Sequence, residues 1–181
     1  MKGVVLAGGK GSRLYPLTRV ANNHLLPVYD RPMVFYPIQT LADVGIRDII
    51  VVTGGQNSGD FLRLLSNGKD FNLNRIHYTY QEGEGGIADA LRLAELFVEG
   101  DASVFEKIGR AKPSWRNELE ITDVNNMYLQ ENTLSHSFLD GWWTDAGTFE
   151  SLVRATNLVV KTGANKIPGR GAPPRHVRAA E

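Results

Sequence analysis

The chain has 181 residues, of which 42% are hydrophobic, with 20 Lys and Arg balancing 20 Asp and Glu and no cysteine. That length fits one domain with a real core. The charge balance argues against a nucleic-acid binder, and the lack of cysteine excludes disulfides, thiolate metal sites and a cysteine nucleophile.

Met1 and Lys2 lead into a strand-like run with no signal-peptide pattern, and no apolar stretch approaches a membrane span. The expected location is therefore the cytoplasm, with no membrane partner. Residues 3–7 (GVVLA) read as a buried parallel strand that ends in glycines, and residues 8–16 as a glycine-rich, basic loop. Helical spacing of Met33, Ile38, Leu41 and Ala42 predicts a helix over 32–44, stopped by Gly45. Residues 48–53 (DIIVVT) form a second buried strand. Ser58 or Asp60 is expected to cap a helix through Leu65, ended by Asn67-Gly68. Residues 76–80 alternate as a third strand, and 87–97 form an amphipathic helix. After Gly100, helices are expected at 103–108, at 122–130 with Thr122 as cap, and at 148–160. Residues 134–139 alternate like a strand. From Thr162 onward, glycine, proline and arginine predict a disordered tail. The organisation expected is one domain over 1–161 and a tail over 162–181.

Strand and helix alternate over the first hundred residues, which is the pattern of a parallel α/β sheet. Ligands of such sheets bind beyond the carboxyl ends of the strands. Both glycine-rich segments, Gly8–Gly11 and Gly83–Gly86, fall at strand ends of that kind.

In LAGGKGSRLYPLT (6–18), Gly8, Gly9 and Gly11 let backbone amides converge on one concavity suited to phosphate oxygens. Arg13 adds a permanent forked charge. The spacing is neither that of a P-loop nor that of the dinucleotide fingerprint, because Leu14 stands where the third glycine would be. Taken alone, the glycines better suit a tight strand-to-helix turn with an exposed arginine.

Together with HLLPVYDRPMVFYPI (24–38), this segment resembles the signature of sugar-1-phosphate nucleotidyltransferases. VVTGG (51–55), YQEGEGGIADAL (80–91), ELEITDVNNMY (118–128) and GWWTDAGTFESL (141–152) are similar to the thymidylyltransferase branch. The resemblance implies a reduced doubly wound (Rossmann-like) parallel sheet. It also implies joining of a nucleoside triphosphate such as dTTP to a sugar 1-phosphate, with release of pyrophosphate. Leu6, Gly8, Gly9, Gly11, Ser12 and Arg13 would hold the nucleotide, and Gln81 and Gly86 would read the base edge. Arg13 and Asp145 would be catalytic, with Asp145 a Mg²⁺ ligand. Asp145 equally suits a cap for the helix beginning near Thr148. Trp142 and Trp143 read as packing residues.

Two departures from that family stand out. Asn23 occupies the place of a lysine that would hold phosphate, leaving His24, Arg19 or Lys10 as substitutes. A long segment that carries a strand, a second metal-binding aspartate and sugar-phosphate contacts is absent after Phe97, and Asp101 stands at the junction. Loss of that strand leaves the 3–7 strand with an open edge, to be covered by residues 134–139 or by a second subunit, so a homo-oligomer (a dimer) is expected. Besides a working transferase, two other readings stand: a non-catalytic nucleotide-binding module, and an enzyme repurposed on the same fold. The polar groups available to a repurposed enzyme include Arg13, His24, Gln81, Glu84, Asp123 and Asp145.

Overall fold

A computed structural model of the chain describes residues 1–55, 57–98 and 102–164. In chain order these form β1 (Lys2–Ala7), a two-residue ribbon of β2 (Pro27–Val28) and β3 (Arg31–Pro32), α1 (Phe35–Asp43), β4 (Asp48–Gly54), α2 (Ser58–Leu65), β5 (Arg75–Gln81), α3 (Gly86–Arg92), α4 (Ala102–Arg110), α5 (Ile121–Gln130) and α6 (Phe149–Thr162). Asp101 and residues 165–181, most of the expected tail, lie outside the described residues.

The main sheet is parallel, in the order β1-β4-β5, with Lys2 opposite Asp48, Ala7 opposite Thr53 and Gly54 opposite Gln81. The apolar run of β4 suits a central strand covered on both faces, and all of its residues from Ile49 to Gly54 are buried. α1 and α2 are the crossovers between parallel neighbours, and the handedness of such units puts both on one face. There Val34, Ile38 and Ala42, with Phe61 and Leu65, pack on Val5, Ala7, Ile49, Val51 and Ile76. Phe71 closes the lower end, edge-on to Phe35 at 4.9 Å. A second core gathers Ala88 of α3, Phe105 and Ile108 of α4 and Val124 of α5. Lys107, 6% exposed, is tolerated there because its ammonium meets Glu131 at 2.5 Å and the Tyr128 ring at 4.4 Å.

The α/β architecture matches the sequence expectation in reduced form. Strand order follows chain order, so one wing of a doubly wound sheet is present and β1 is its edge. Residues 134–139 do not form the expected strand. They run exposed and belong to no sheet, with Phe138 92% and Leu139 68% exposed. Alternation makes a strand only where the segment lies against a sheet edge and exchanges hydrogen bonds with it, and residues 134–139 pair with neither β1 nor β5.

Several boundaries differ for local reasons. Arg31 and Pro32 pair in the ribbon, so α1 starts at Phe35. Asn57, not Ser58 or Asp60, stands at the N-cap of α2, and Thr122 lies inside α5, whose cap position is Glu120. α3 ends at Arg92, where the backbone shifts to tighter bonds such as Ala94 N–H to Leu91 O. Trp143 is 78% exposed and Trp142 is held only at its rim, Nε1 donating to Thr162 Oγ1, so neither packs in a core.

Candidate functional site

β1, β4 and β5 end side by side, and the loops that leave them meet. Gly54, the last residue of β4, touches both others: a Cβ there would lie 3.2 Å from Gln81 O and 3.5 Å from Gly8 Cα. The first loop turns through left-handed backbone at Gly9 (φ 89°) and Gly11 (φ 60°), which glycine adopts without strain. Gly11 is also crowded, since a Cβ would meet Asn23 and Thr18 at 2.9 Å. Asn22, 5% exposed, pins the loop from beneath by donating to Ala7 O and Gly9 O, while its Oδ1 accepts from His24 N and faces His24 Nδ1 at 2.9 Å.

Across the cleft, Gln81 is buried and its Nε2 donates to Gly86 O at 3.1 Å and Asp89 Oδ2 at 2.9 Å. Both N–H groups are thereby used, and Oε1 is left on the Gly8 side, 2.8 Å from where a Cβ on Gly8 would stand. Gly86 (φ 90°) has Leu119 O 2.6 Å from its missing Cβ, so α3 begins in direct backbone contact with the segment before α5.

The third wall precedes α6. Asp145 is exposed; its Oδ2 accepts from Gly147 N at 3.1 Å and Ser151 Oγ at 3.2 Å. Burial pushes the Asp145 carboxyl up, but the Gly147 amide, Ser151, the nearby Arg13 charge and the Ala146 amide outweigh it and hold the group below its usual range. The cap of α6 is Thr148, which exchanges a capping box with Ser151, and Ser151 in turn braces Asp145. Asp145 is therefore not the cap of α6, as the sequence allowed, but is tied to that cap through Ser151. Thr148→Ala is expected to cost about 1 kcal/mol in urea unfolding, as lost caps do; a change below 0.3 kcal/mol would show that the box does not hold α6.

All nine residues singled out from sequence (Leu6, Gly8, Gly9, Gly11, Ser12, Arg13, Gln81, Gly86 and Asp145) line one cleft of about 470 Å³. Asn23, His24, Met33, Glu84, Ile87, Ala90, Glu118, Ala146 and Gly147 complete it. Asp123 is not among the lining residues and lies exposed on α5. A larger cleft of about 580 Å³, lined by Lys2, Asp48, Arg75, His77 and Phe97, sits at the opposite, amino end of the strands and includes none of the nine. The carboxyl-end cleft is the one this architecture uses for ligands.

Among the described lining residues, Arg13 is the one Lys or Arg, facing Glu84, Glu118 and Asp145. His24 does not replace a lost lysine, because burial pushes its pKa down to about 4 and it is neutral at neutral pH. Sequence reasoning missed Asn22 and Asp89, which fix the glycine loop and Gln81; their signal is only visible once β1 and β5 are set side by side.

The nucleotidyl transferase family model matches residues 2–106 and 101–162. Glucose-1-phosphate thymidylyltransferase of Neisseria meningitidis is 33% identical over 238 positions, covering 88% of this chain and 82% of that protein. Those 238 positions exceed the 181 residues here, so the match steps over residues of the relative that have no counterpart, and the two family segments meet at 101–106. A solved structure from Bacillus anthracis, assigned as a glucose-1-phosphate thymidylyltransferase and in complex with a sucrose, superposes with a TM-score of 0.81 at 33% identity, covering 92% of this chain and 98% of that one. UDP-glucose pyrophosphorylase complexed with UDP-glucose shares the fold at a TM-score of 0.74 and 15% identity, over 88% and 98% of the two chains. No helix among the described residues is long and apolar enough to cross a membrane.

Proposed function

Because this chain belongs to the nucleotidyl transferase family, we propose that it joins a dTTP-like nucleoside triphosphate to a sugar 1-phosphate and releases pyrophosphate. The carrying observation is the convergence of the nine residues on one cleft at the strand ends. In the reaction, an oxygen of the sugar phosphate attacks the α-phosphorus; the bond to the β-phosphate breaks and pyrophosphate leaves with its electrons. Such chemistry depends on positioning and charge neutralisation. Loop amides at Gly8–Gly11 and the hydroxyl of Ser12 seat the phosphates, and Arg13 offsets the charge of the departing pyrophosphate. Gln81 offers an acceptor, Oε1, which suits the ring N–H of thymine or uracil and not the bare N3 of cytosine.

The donor set fits Mg²⁺ in its usual mode, one carboxylate with the remaining positions on phosphate and water. Asp145 is ionised, and among the described residues no cluster of three or more His, Cys, Asp or Glu competes for the ion. Bound there, the ion would supply charge neutralisation on the phosphates. The site belongs to a single reduced domain over residues 1–161, which works in the cytoplasm, where nucleoside triphosphates are made. A second copy covers the β1 edge, which among the described residues pairs only with β4. Sedimentation at micromolar concentration is expected to give twice the 20.0 kDa chain mass, and a monomer throughout would remove this part.

The test is pyrophosphate release from dTTP with glucose 1-phosphate and Mg²⁺, compared with dCTP. Turnover with dTTP that fails with dCTP supports the reading. A second reading, a binding module without turnover, is favoured by the neutral His24 and by Asn23 in the cleft. It predicts nucleotide-dependent thermal stabilisation without pyrophosphate release.

A further inference from the structure

The cleft is poor in positive charge for the ligand proposed. One guanidinium lines it beside three carboxylates, Glu84, Glu118 and Asp145, of which Glu118 is paired with Arg116 at 3.2 Å outside the lining, and a triphosphate adds several negative charges of its own. The next cation stands at the rim. Lys10 lies between Gly9 and Gly11, on the loop whose amides face the cleft, and its Nζ is 3.0 Å from Glu84 Oε2. Glu84 belongs to the opposite loop, between Gly83 and Gly86, so the pair spans the mouth from one glycine loop to the other. Both ends are accessible, the side chains being 74% and 47% exposed. Exposed pairs of this kind hold weakly, and a lysine ammonium on its long stem exchanges partners easily. The flanking Gly9 and Gly83 adopt positive φ with open space where a Cβ would be, so each loop has room at its hinge.

We propose that Lys10 and Glu84 form an exchangeable clasp. In the free protein Glu84 holds Lys10 across the mouth; on entry of a polyphosphate Lys10 moves onto it and becomes the second cation of the seat. A phosphate chain concentrates more negative charge than one carboxylate and forms charge-assisted hydrogen bonds, so the exchange runs toward the ligand. Glu84 thereby sets a threshold: ligands with too little charge do not take Lys10 from it. This inference rests on the nucleotide reading of the cleft and adds to it a residue pair that tunes affinity.

Calorimetric titration of the full chain with dTTP, with pyrophosphate and with thymidine, in Mg²⁺, tests it. Lys10→Met is expected to weaken dTTP and pyrophosphate about tenfold, with a flatter salt dependence and no change in any thymidine affinity. Lys10→Arg restores most of the loss. Glu84→Gln is expected to tighten dTTP about threefold, and that gain disappears when Lys10→Met is added. Unfolding stability of all these variants stays at the wild-type value, since the pair is exposed. If wild-type protein binds dTTP and Arg13→Ala abolishes it, but Lys10→Met binds within twofold of wild type, the clasp is wrong and the nucleotide reading stands. Wild-type protein that binds neither dTTP nor pyrophosphate overturns both.

Discussion

Arg13→Ala is expected to lower kcat/KM for pyrophosphate release at least about 100-fold and to erase stabilisation by dTTP. The size follows from charge. Arg13 is the lone Lys or Arg lining the described cleft, and the carboxylates there, apart from Asp145, already meet Lys10 and Arg116 at its edge, so its removal leaves the seat without a lining cation for a strongly negative ligand. Its position is set from two sides. The Gly11 turn starts the short helix that carries it, and Gly147 opposite has no side chain, so the guanidinium can approach; a Cβ there would be 2.9 Å from Nη2. Arg13 is itself exposed, and the fold loses little without it: unfolding is expected to change by no more than about 0.5 kcal/mol. Arg13→Lys keeps the charge but loses the fork, and an intermediate rate is expected. Catalysis within tenfold of wild type in Arg13→Ala would show that the phosphates lie elsewhere, even if the protein proves active.

The sheet and the cleft were legible in the sequence to different depths. β1 and β4 announce themselves as the apolar runs GVVLA and DIIVVT expected of buried parallel strands, and β5 by its alternation. The glycine loops were equally clear, since positive φ at Gly9, Gly11 and Gly86 is costly for other residues. Alternation at 134–139 misled for a reason that lies outside that segment. It has the period of a strand, but it does not lie against the open β1 edge, and among the described residues the main sheet is β1-β4-β5 alone. Phe138 of that segment is left in solvent, as is Trp143, whose bulk had suggested packing. Within the site, glycines and charged residues were found, and the polar residues that hold them were not. Asn22 and Asp89 act by hydrogen bonds across loops distant in sequence, such as Gln81 Nε2 to Asp89, and no periodicity encodes such a contact. The charge state of His24 was likewise invisible, because it depends on how much of the ring the ribbon and Asn22 enclose.

That charge state leads to the second large effect, loss of stability in mild acid. Burial lowers the His24 pKa from 6.5 to about 4, while the unfolded chain keeps the ordinary value. Between those two pH values the unfolded state takes up a proton that the folded state refuses. Stability is therefore whole above pH 6.5, falls as the pH drops through that window, and levels off for this group below about 4. A shift of this size corresponds to at most about 3 kcal/mol, and the partial solvent access of His24 brings the expectation to about 2 kcal/mol. The Asp145 carboxyl, held below its usual range, works in the same direction but in stronger acid, because its proton is taken up only below the ordinary carboxylate pKa. The two are separable by position on the pH axis. His24→Gln keeps a polar side chain over Asn22 and removes the titration. Urea unfolding of wild type and variant from pH 7.5 to 4 is expected to show the stability of wild type relative to the variant falling by about 2 kcal/mol as the pH drops. Parallel curves over that range would mean that His24 takes up its proton alike in the folded and the unfolded chain, so that burial does not hold it neutral.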